Sequence, residues 1–193
     1  MSDRATDTSI WDGARQQEFP ANGEPRVPGQ KLLVTFEIAK VLVEERELEV
    51  MLPRFLSCLI ETLDAADAGS IWLHDPADDK LVTHGAQGYD LATLQQLRLA
   101  PGEGMVGKVF ESGHAQVYPT AEATEAAMSN LTPPDRELFE RATIGVRRPL
   151  SAICVPLAAD QTVLGVLALL NLRRAGGFRP DDEVFLTHVA DLI

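Results

Sequence analysis

The residues whose types and spacing could carry chemistry are the run Gly102-Glu103-Gly104-Met105-Val106-Gly107, two cysteines, four histidines and the serines. The glycine run spells the dinucleotide fingerprint letter for letter, a pattern in which backbone N–H groups at a helix start hold a pyrophosphate. That chemistry needs an apolar strand before the first glycine and a second parallel strand ending in an acidic residue. Gln95-Gln96-Leu97-Arg98 and Pro101 precede the run instead, so it reads as a tight turn that lets a helix start close against a sheet. Cys58 and Cys154 each lie in an apolar run with no Cys or His at metal-ligand spacing, and both read as small buried hydrophobes. His74, His84, His114 and His188 are scattered one to an element, at spacings that build no metal or haem site. No serine stands in the strand-turn glycine context that would expose a nucleophile. The sequence thus predicts no catalytic residue, no metal and no identifiable cofactor.

Any binding chemistry must therefore come from how the elements are arranged. The chain has 193 residues, 45% hydrophobic and 24% charged, the composition of an ordinary soluble globular chain. A net charge of −12 repels phosphate backbones and anionic headgroups, so neither nucleic acid nor membrane is expected as a partner. No run approaches the roughly 20 apolar residues of a spanning helix, and Met1-Ser2-Asp3-Arg4 opens no apolar signal segment. A cytoplasmic location is expected.

Residues 1–30 are polar, mix both charges and carry Pro20, Pro25 and Pro28, which predicts a disordered tail ahead of one domain over 31–193. From Lys31, the apolar residues Leu32, Phe36, Ala39 and Val43 fall on one helical face, and a second helix from about Leu48 carries Leu52, Phe55, Leu59 and Leu63, with Pro53 in its first turns. Ala68 to Asp75 has strand character, and Asp75-Pro76-Ala77-Asp78-Asp79 supplies a turn into Leu81-Val82-Thr83-His84, a β-hairpin. A helical segment from Leu91 to Leu97 leads to a helix with Met105, Val109 and Phe110 on one face, stopped by Gly113. A short strand over 114–118 and two helical pieces over 120–145 follow, the second with Asp135 as a candidate cap. Leu150 to Leu157 and Thr162 to Leu172 form a second hairpin about Ala158-Ala159-Asp160-Gln161. The later of these strands is apolar on both faces and so is expected at the centre of the sheet. Pro180-Asp181-Asp182-Glu183 opens a final helix through Phe185, Val189 and Leu192, and we expect it to continue beyond Ile193. Antiparallel hairpins with helices segregated around them predict an α+β fold.

Four motifs in this order carry a family resemblance. The run from Pro101 to Gly113 resembles the glycine-bounded helix of GAF domains, and Ala68-Gly69-Ser70-Ile71-Trp72-Leu73-His74-Asp75 resembles their first strand. Ser151-Ala152-Ile153-Cys154-Val155-Pro156-Leu157 followed by Leu164-Gly165-Val166-Leu167 is similar to their late hairpin. The resemblance covers about residues 31–193. It implies a central antiparallel β-sheet with the terminal helices on one face and connecting helices covering a pocket on the other, a GAF/PAS-like arrangement. It further implies a regulatory sensor that binds a small effector, such as a cyclic nucleotide or another metabolite. Asn171, Phe178, Asp182 and Glu183 resemble a pattern that braces the ligand side of cyclic-nucleotide-binding members, with Leu172 standing where those have lysine; a bracing role is expected here.

By strand alternation, Ser70, Trp72 and His74 share a face while Ile71 and Leu73 share the other, more apolar one. The mixed face is the expected pocket wall, with Met105, Phe110 and Phe139 as its lid. A side-chain-filled core without ligand is the alternative. Helices leaving both ends of the fold favour a homodimer through the terminal helices. The rival functions are a ligand-free dimerisation module and a GAF-fold enzyme. A covalent chromophore would need a better-placed cysteine, and the sulfoxide reductases of this fold carry several cysteines around the helix where Met105, Val106 and Gly107 stand.

Overall fold

The computed structural model describes residues 47–143, 148–173 and 177–191. The tail and the helix expected from Lys31 lie outside these residues, as does Leu192. Six helices are described, α1 (Leu48–Thr62), α2 (Leu91–Leu94), α3 (Gly104–Ser112), α4 (Ala121–Met128), α5 (Pro133–Ala142) and α6 (Pro180–Ala190). The strands β1 (Ala68–Asp75), β2 (Lys80–Gln87), β3 (Arg98–Leu99), β4 (Gln116–Tyr118), β5 (Ser151–Ala159) and β6 (Thr162–Asn171) form one sheet in the order β3-β2-β1-β6-β5-β4, every pair antiparallel. This is the α+β architecture expected from the sequence. No helix among the described residues is long and apolar enough to cross a membrane.

The two-residue period of the strands sorts the apolar side chains onto two faces. Ile71, Ile153, Val155, Leu167 and Leu169 pack against Phe55, Leu56 and Leu59 of α1 and Leu186 and Val189 of α6, which form the back layer. Trp72, Ala152, Cys154, Val166, Ala168 and Leu170 meet Met105, Val106 and Val109 of α3 on the front. β6 lies between β1 and β5, where its two apolar faces place it. There Gly165 passes so close to β1 that a Cβ would stand 2.1 Å from the carbonyl oxygen of Trp72.

Turn chemistry sets the hairpins. Asp160 and Gln161 both have positive φ, 46° and 68°, so β5 and β6 are joined by a two-residue turn of the I′ kind, tighter than the four residues expected. At the β1–β2 turn, Asp75 accepts from the Ala77 N–H at 3.0 Å, and Arg98 donates to Asp75 at 2.9 Å and to Asp78 at 2.8 Å. The Ala77 N–H, and secondarily Arg98, hold the Asp75 carboxyl below its usual range.

Four local expectations are corrected. The helical segment over 91–97 shortens to α2, because the chain turns at Gln95 and extends into β3, which pairs Leu99 with Leu81. Thr132, not Asp135, caps α5: its side chain accepts from the Asp135 N–H, which is the third helical position behind Pro133. Pro53 is the sixth residue of α1, past the positions where a missing N–H is free, and Ser57 Oγ donates to its carbonyl at 3.0 Å. β2 runs to Gln87 with a register shift opposite Ile71 and Trp72, a bulge that the short run Leu81 to His84 does not reveal.

Candidate functional site

The front layer begins at the N-terminus of α3, where the glycine run is closed on itself. Glu103 is buried, and its carboxylate accepts from the Ala100 N–H at 3.0 Å and from the Thr132 N–H at 2.9 Å. Asn130 accepts from the Gly104 N–H at 3.0 Å and donates to the Gly102 carbonyl at 2.8 Å. A helix N-terminus attracts anions through N–H groups that lack partners; here the Gly104 N–H is already taken by Asn130, and the buried Glu103 carboxylate directly before the helix disfavours a second anion. Gly107 completes the seat, since a Cβ on it would lie 2.3 Å from the Ala100 carbonyl oxygen. The reading as a tight turn against the sheet fits this geometry, and the latch joining it to the α4–α5 connection is what the sequence did not reveal.

Behind α3 lies a cavity of about 30 Å³, walled by Ser70 and Trp72 of β1, Met105, Phe139 and the unforeseen Tyr89 and Met128. Trp72 Nε1 donates to Ser70 Oγ at 2.8 Å, which confirms that alternate residues of β1 share this face and which also uses the polar atoms of that wall. Burial pushes the Tyr89 hydroxyl well above its ordinary pKa. A second, outer cleft of about 250 Å³ opens between α4, α5 and the end of β6. It shares Met105, Met128, Phe139 and Leu170 with the cavity and adds Glu125, Arg136, Glu140 and Arg148 at its mouth.

Of the six residues expected around a pocket, the structure thus brings Ser70, Trp72, Met105 and Phe139 to one cavity. His74 and Phe110 line neither of these two spaces. Their rings stack on each other with centroids 4.8 Å apart, and His74 Nε2 lies 2.8 Å from the Asp79 carboxylate, so the pair ties the β1–β2 turn to α3. Phe110 is only partly buried because the helical turn that carries Met105 and Val109 inward points it at the edge.

The four residues of the bracing pattern sit on the back of the fold. Asn171 is fully buried; its carbonyl accepts from the Leu150 N–H at 2.7 Å and its Oδ1 from the Arg173 N–H at 3.2 Å. Phe178 enters the back core, while Asp182 accepts from the Arg179 N–H at 2.9 Å and Glu183 donates its own N–H to the Arg179 carbonyl, fixing the start of α6. Arg173 donates through Nε and Nη2 to Asp67, whose other oxygen accepts from the Leu172 N–H at 2.8 Å. Asp67 therefore ties the start of β1 to the end of β6, a link across more than a hundred residues that local sequence cannot disclose.

Cys154 is fully buried on the front face, where burial pushes its thiol up to about 12. Cys58 packs against the back core and is less deeply buried than expected. The sheet separates the two. Among the described residues, no cluster of His, Cys, Asp and Glu could hold a metal ion.

A family model described as GAF domain matches residues 45–193. The Nif-specific regulatory proteins of Azospirillum lipoferum and Azospirillum brasilense are each 29% identical over 165 residues, which is 84% of this chain and 25% of theirs. The chain thus spans about a quarter of the length of these relatives. Among solved structures, the GAF domain from a phosphoenolpyruvate-protein phosphotransferase of Coxiella burnetii is similar with a TM-score of 0.70 and 23% identity, over 84% of this chain and 89% of that one. Free methionine-R-sulfoxide reductase from Neisseria meningitidis, in complex with its substrate, is similar at a TM-score of 0.64 and 21% identity, over 89% and 92% of the two chains. At these identities the structural likeness carries the fold alone.

Proposed function

The chain belongs to the GAF domain family, and on that premise we propose that it is the regulatory sensor module of a signal-transduction protein, binding a small effector on the front of its sheet. The observation that carries this reading is the outer cleft of about 250 Å³ on the face opposite α1 and α6. Its size lies just under the roughly 300–1,000 Å³ of drug-sized ligand pockets, which suits an effector of metabolite size, a cyclic nucleotide being at the upper limit. Similarity to regulatory proteins of which the match covers 25% supports a module that acts on other domains. The net charge of −12 supports a role away from nucleic acid and anionic membrane surfaces.

The module pairs with a second copy through its terminal helices in this reading. Leu48 and Val50 of α1 and Val184 of α6 are large apolar side chains left exposed on the described surface, which supports it. Sedimentation equilibrium at micromolar concentration is expected to give a dimer; a monomer there sinks this part of the proposal.

Catalysis by thiol chemistry is disfavoured. Reduction of a sulfoxide by two thiols leaves a disulfide, and here Cys58 and Cys154 lie on opposite faces of the sheet, with Cys154 held protonated. Free methionine sulfoxide with dithiothreitol is expected to yield no methionine above the rate without protein. The binding role is tested by melting the full chain against a metabolite panel that includes cyclic nucleotides and amino acids. An effector at a hundred times its Kd stabilises by about 2.7 kcal/mol, which a melting curve resolves. If no compound raises the melting temperature and filling the cleft with Phe139→Trp leaves the output of a longer parent protein unchanged, the sensor reading fails and a ligand-free dimerisation module replaces it.

A further inference from the structure

The inner cavity and the outer cleft share a partition of Met105, Met128, Phe139 and Leu170. Both methionines are unbranched thioethers with three rotatable bonds, the side chains that reshape most readily, and Phe139 is only half-buried. Beyond the partition, Trp72 and Ser70 are already hydrogen-bonded to each other. The cavity of about 30 Å³ has room for a water or two but few polar groups to bond them, which makes it a poor site for water and a good one for an apolar group.

The mouth has the opposite character. Arg136 is engaged, donating to the Met128 carbonyl at 2.9 Å and lying 3.7 Å from Glu125. The side chains of Glu140 and Arg148 have no ion-pair or hydrogen-bond partner among the described residues, while the Glu140 backbone carbonyl accepts from Thr143 Oγ1 at 3.0 Å. One free carboxylate and one free guanidinium thus flank an entrance whose far end is apolar. With the chain as a whole at −12, the long-range field repels a net anion, whereas a ligand of zero net charge meets no such repulsion.

Resting on the sensor reading, we infer that the ligand of this site is a zwitterion with an apolar side group, the chemical class of the aromatic and large aliphatic α-amino acids. Its ammonium meets Glu140, its carboxylate meets Arg148, and its side group displaces the methionines to enter the space beside Trp72. Binding is non-covalent.

Calorimetric titration of the full chain with L-phenylalanine, L-leucine, glycine, 3-phenylpropanoate and 2-phenylethylamine tests it. L-phenylalanine or L-leucine is expected to bind saturably at one per chain, with glycine and both single-charge analogues at least about tenfold weaker. Glu140→Gln is expected to remove the preference for L-phenylalanine over 3-phenylpropanoate while leaving the latter's own affinity intact, an outcome that a misfolded variant cannot produce. Arg148→Gln is expected to do the same for 2-phenylethylamine. If neither amino acid binds but cyclic AMP does, and Phe139→Trp blocks it, the ligand class is wrong and the sensor reading stands. Equal affinity for L-phenylalanine and either single-charge analogue in the unmodified chain likewise overturns the inference. Failure of every compound in the wider panel overturns the inference, and together with an unchanged output on Phe139→Trp it removes the sensor reading as well.

Discussion

Replacing Glu103 by alanine takes the acceptor from two backbone N–H groups at once, those of Ala100 and Thr132. An unpaired buried donor costs about 1–3 kcal/mol, and Thr132 is exposed enough to recover water, so we expect a loss near 2 kcal/mol by urea denaturation. Glu103→Gln keeps one acceptor oxygen and should lose about half as much; equal, negligible losses for both would show that the latch is ornamental. Cys154 makes a different prediction. Its thiol is raised from an ordinary value of 9.0 to about 12 by burial, so between those values the folded chain binds more protons than the unfolded one. Stability from this group is intact below about pH 9 and falls as pH climbs toward 12. Cys154→Ala should flatten that alkaline decline, leaving the part due to Tyr89 and Tyr118, whose hydroxyls burial also raises. Alkylation near pH 8 should modify Cys58 before Cys154. The sequence already discloses the shared face of Ser70 and Trp72, because strand alternation is local. Asn130 closing on Gly102 and Gly104, or Arg173 reaching Asp67, follows only from tertiary placement and leaves no local pattern.

At the scale of elements, the densest constraint is the passage of β6 beside β1 at Gly165. A methyl group there would stand 2.1 Å from the Trp72 carbonyl oxygen, so the two central strands must part. Gly165→Ala is expected to cost about 3 kcal/mol or more, although alanine is ordinarily the less costly residue in a strand. A loss under 1 kcal/mol would mean that the strands separate freely. The turn at Asp160 and Gln161 points the other way. Asp160 tolerates its positive φ but Gln161 does not favour its own, whereas asparagine followed by glycine suits both positions, so the double change Asp160→Asn with Gln161→Gly should raise stability by about 0.5–1 kcal/mol, most of it from Gln161→Gly. No shift in the urea midpoint would contradict the turn geometry. Both hairpins are legible beforehand because turn residues interrupt runs with a two-residue period. β3 is not, since two residues show no period at all, and Thr132 loses the capping role to Asp135 on paper because the two proline residues hide where α5 begins.

Across the whole molecule, cohesion is unequal between the sheet and its front roof. β6 is paired on both sides and buried continuously from Gly165 to Asn171, whereas α4 buries only Thr124 and Ala127, and α5 only Ala142. The central place of β6 can be anticipated from sequence, because its run is apolar on both faces, and the packing of α6 on the back of the sheet follows from the resemblance to GAF domains. The space under the roof cannot be anticipated, because its volume depends on how closely weakly buried helices settle. Local opening costs least where few apolar contacts are broken. Amides of α5 should therefore exchange hydrogen at least roughly a hundredfold faster than those of β6 in the free protein. A ligand seated between Met105, Phe139 and Arg148 must hold α5 against β6 in order to be enclosed, so saturation should slow exchange in α4 and α5 and leave the protection of β6 nearly unchanged. Equal protection of α5 and β6 without ligand would mean that the roof and the sheet open as one unit, leaving the cleft no separate motion through which to report its occupancy.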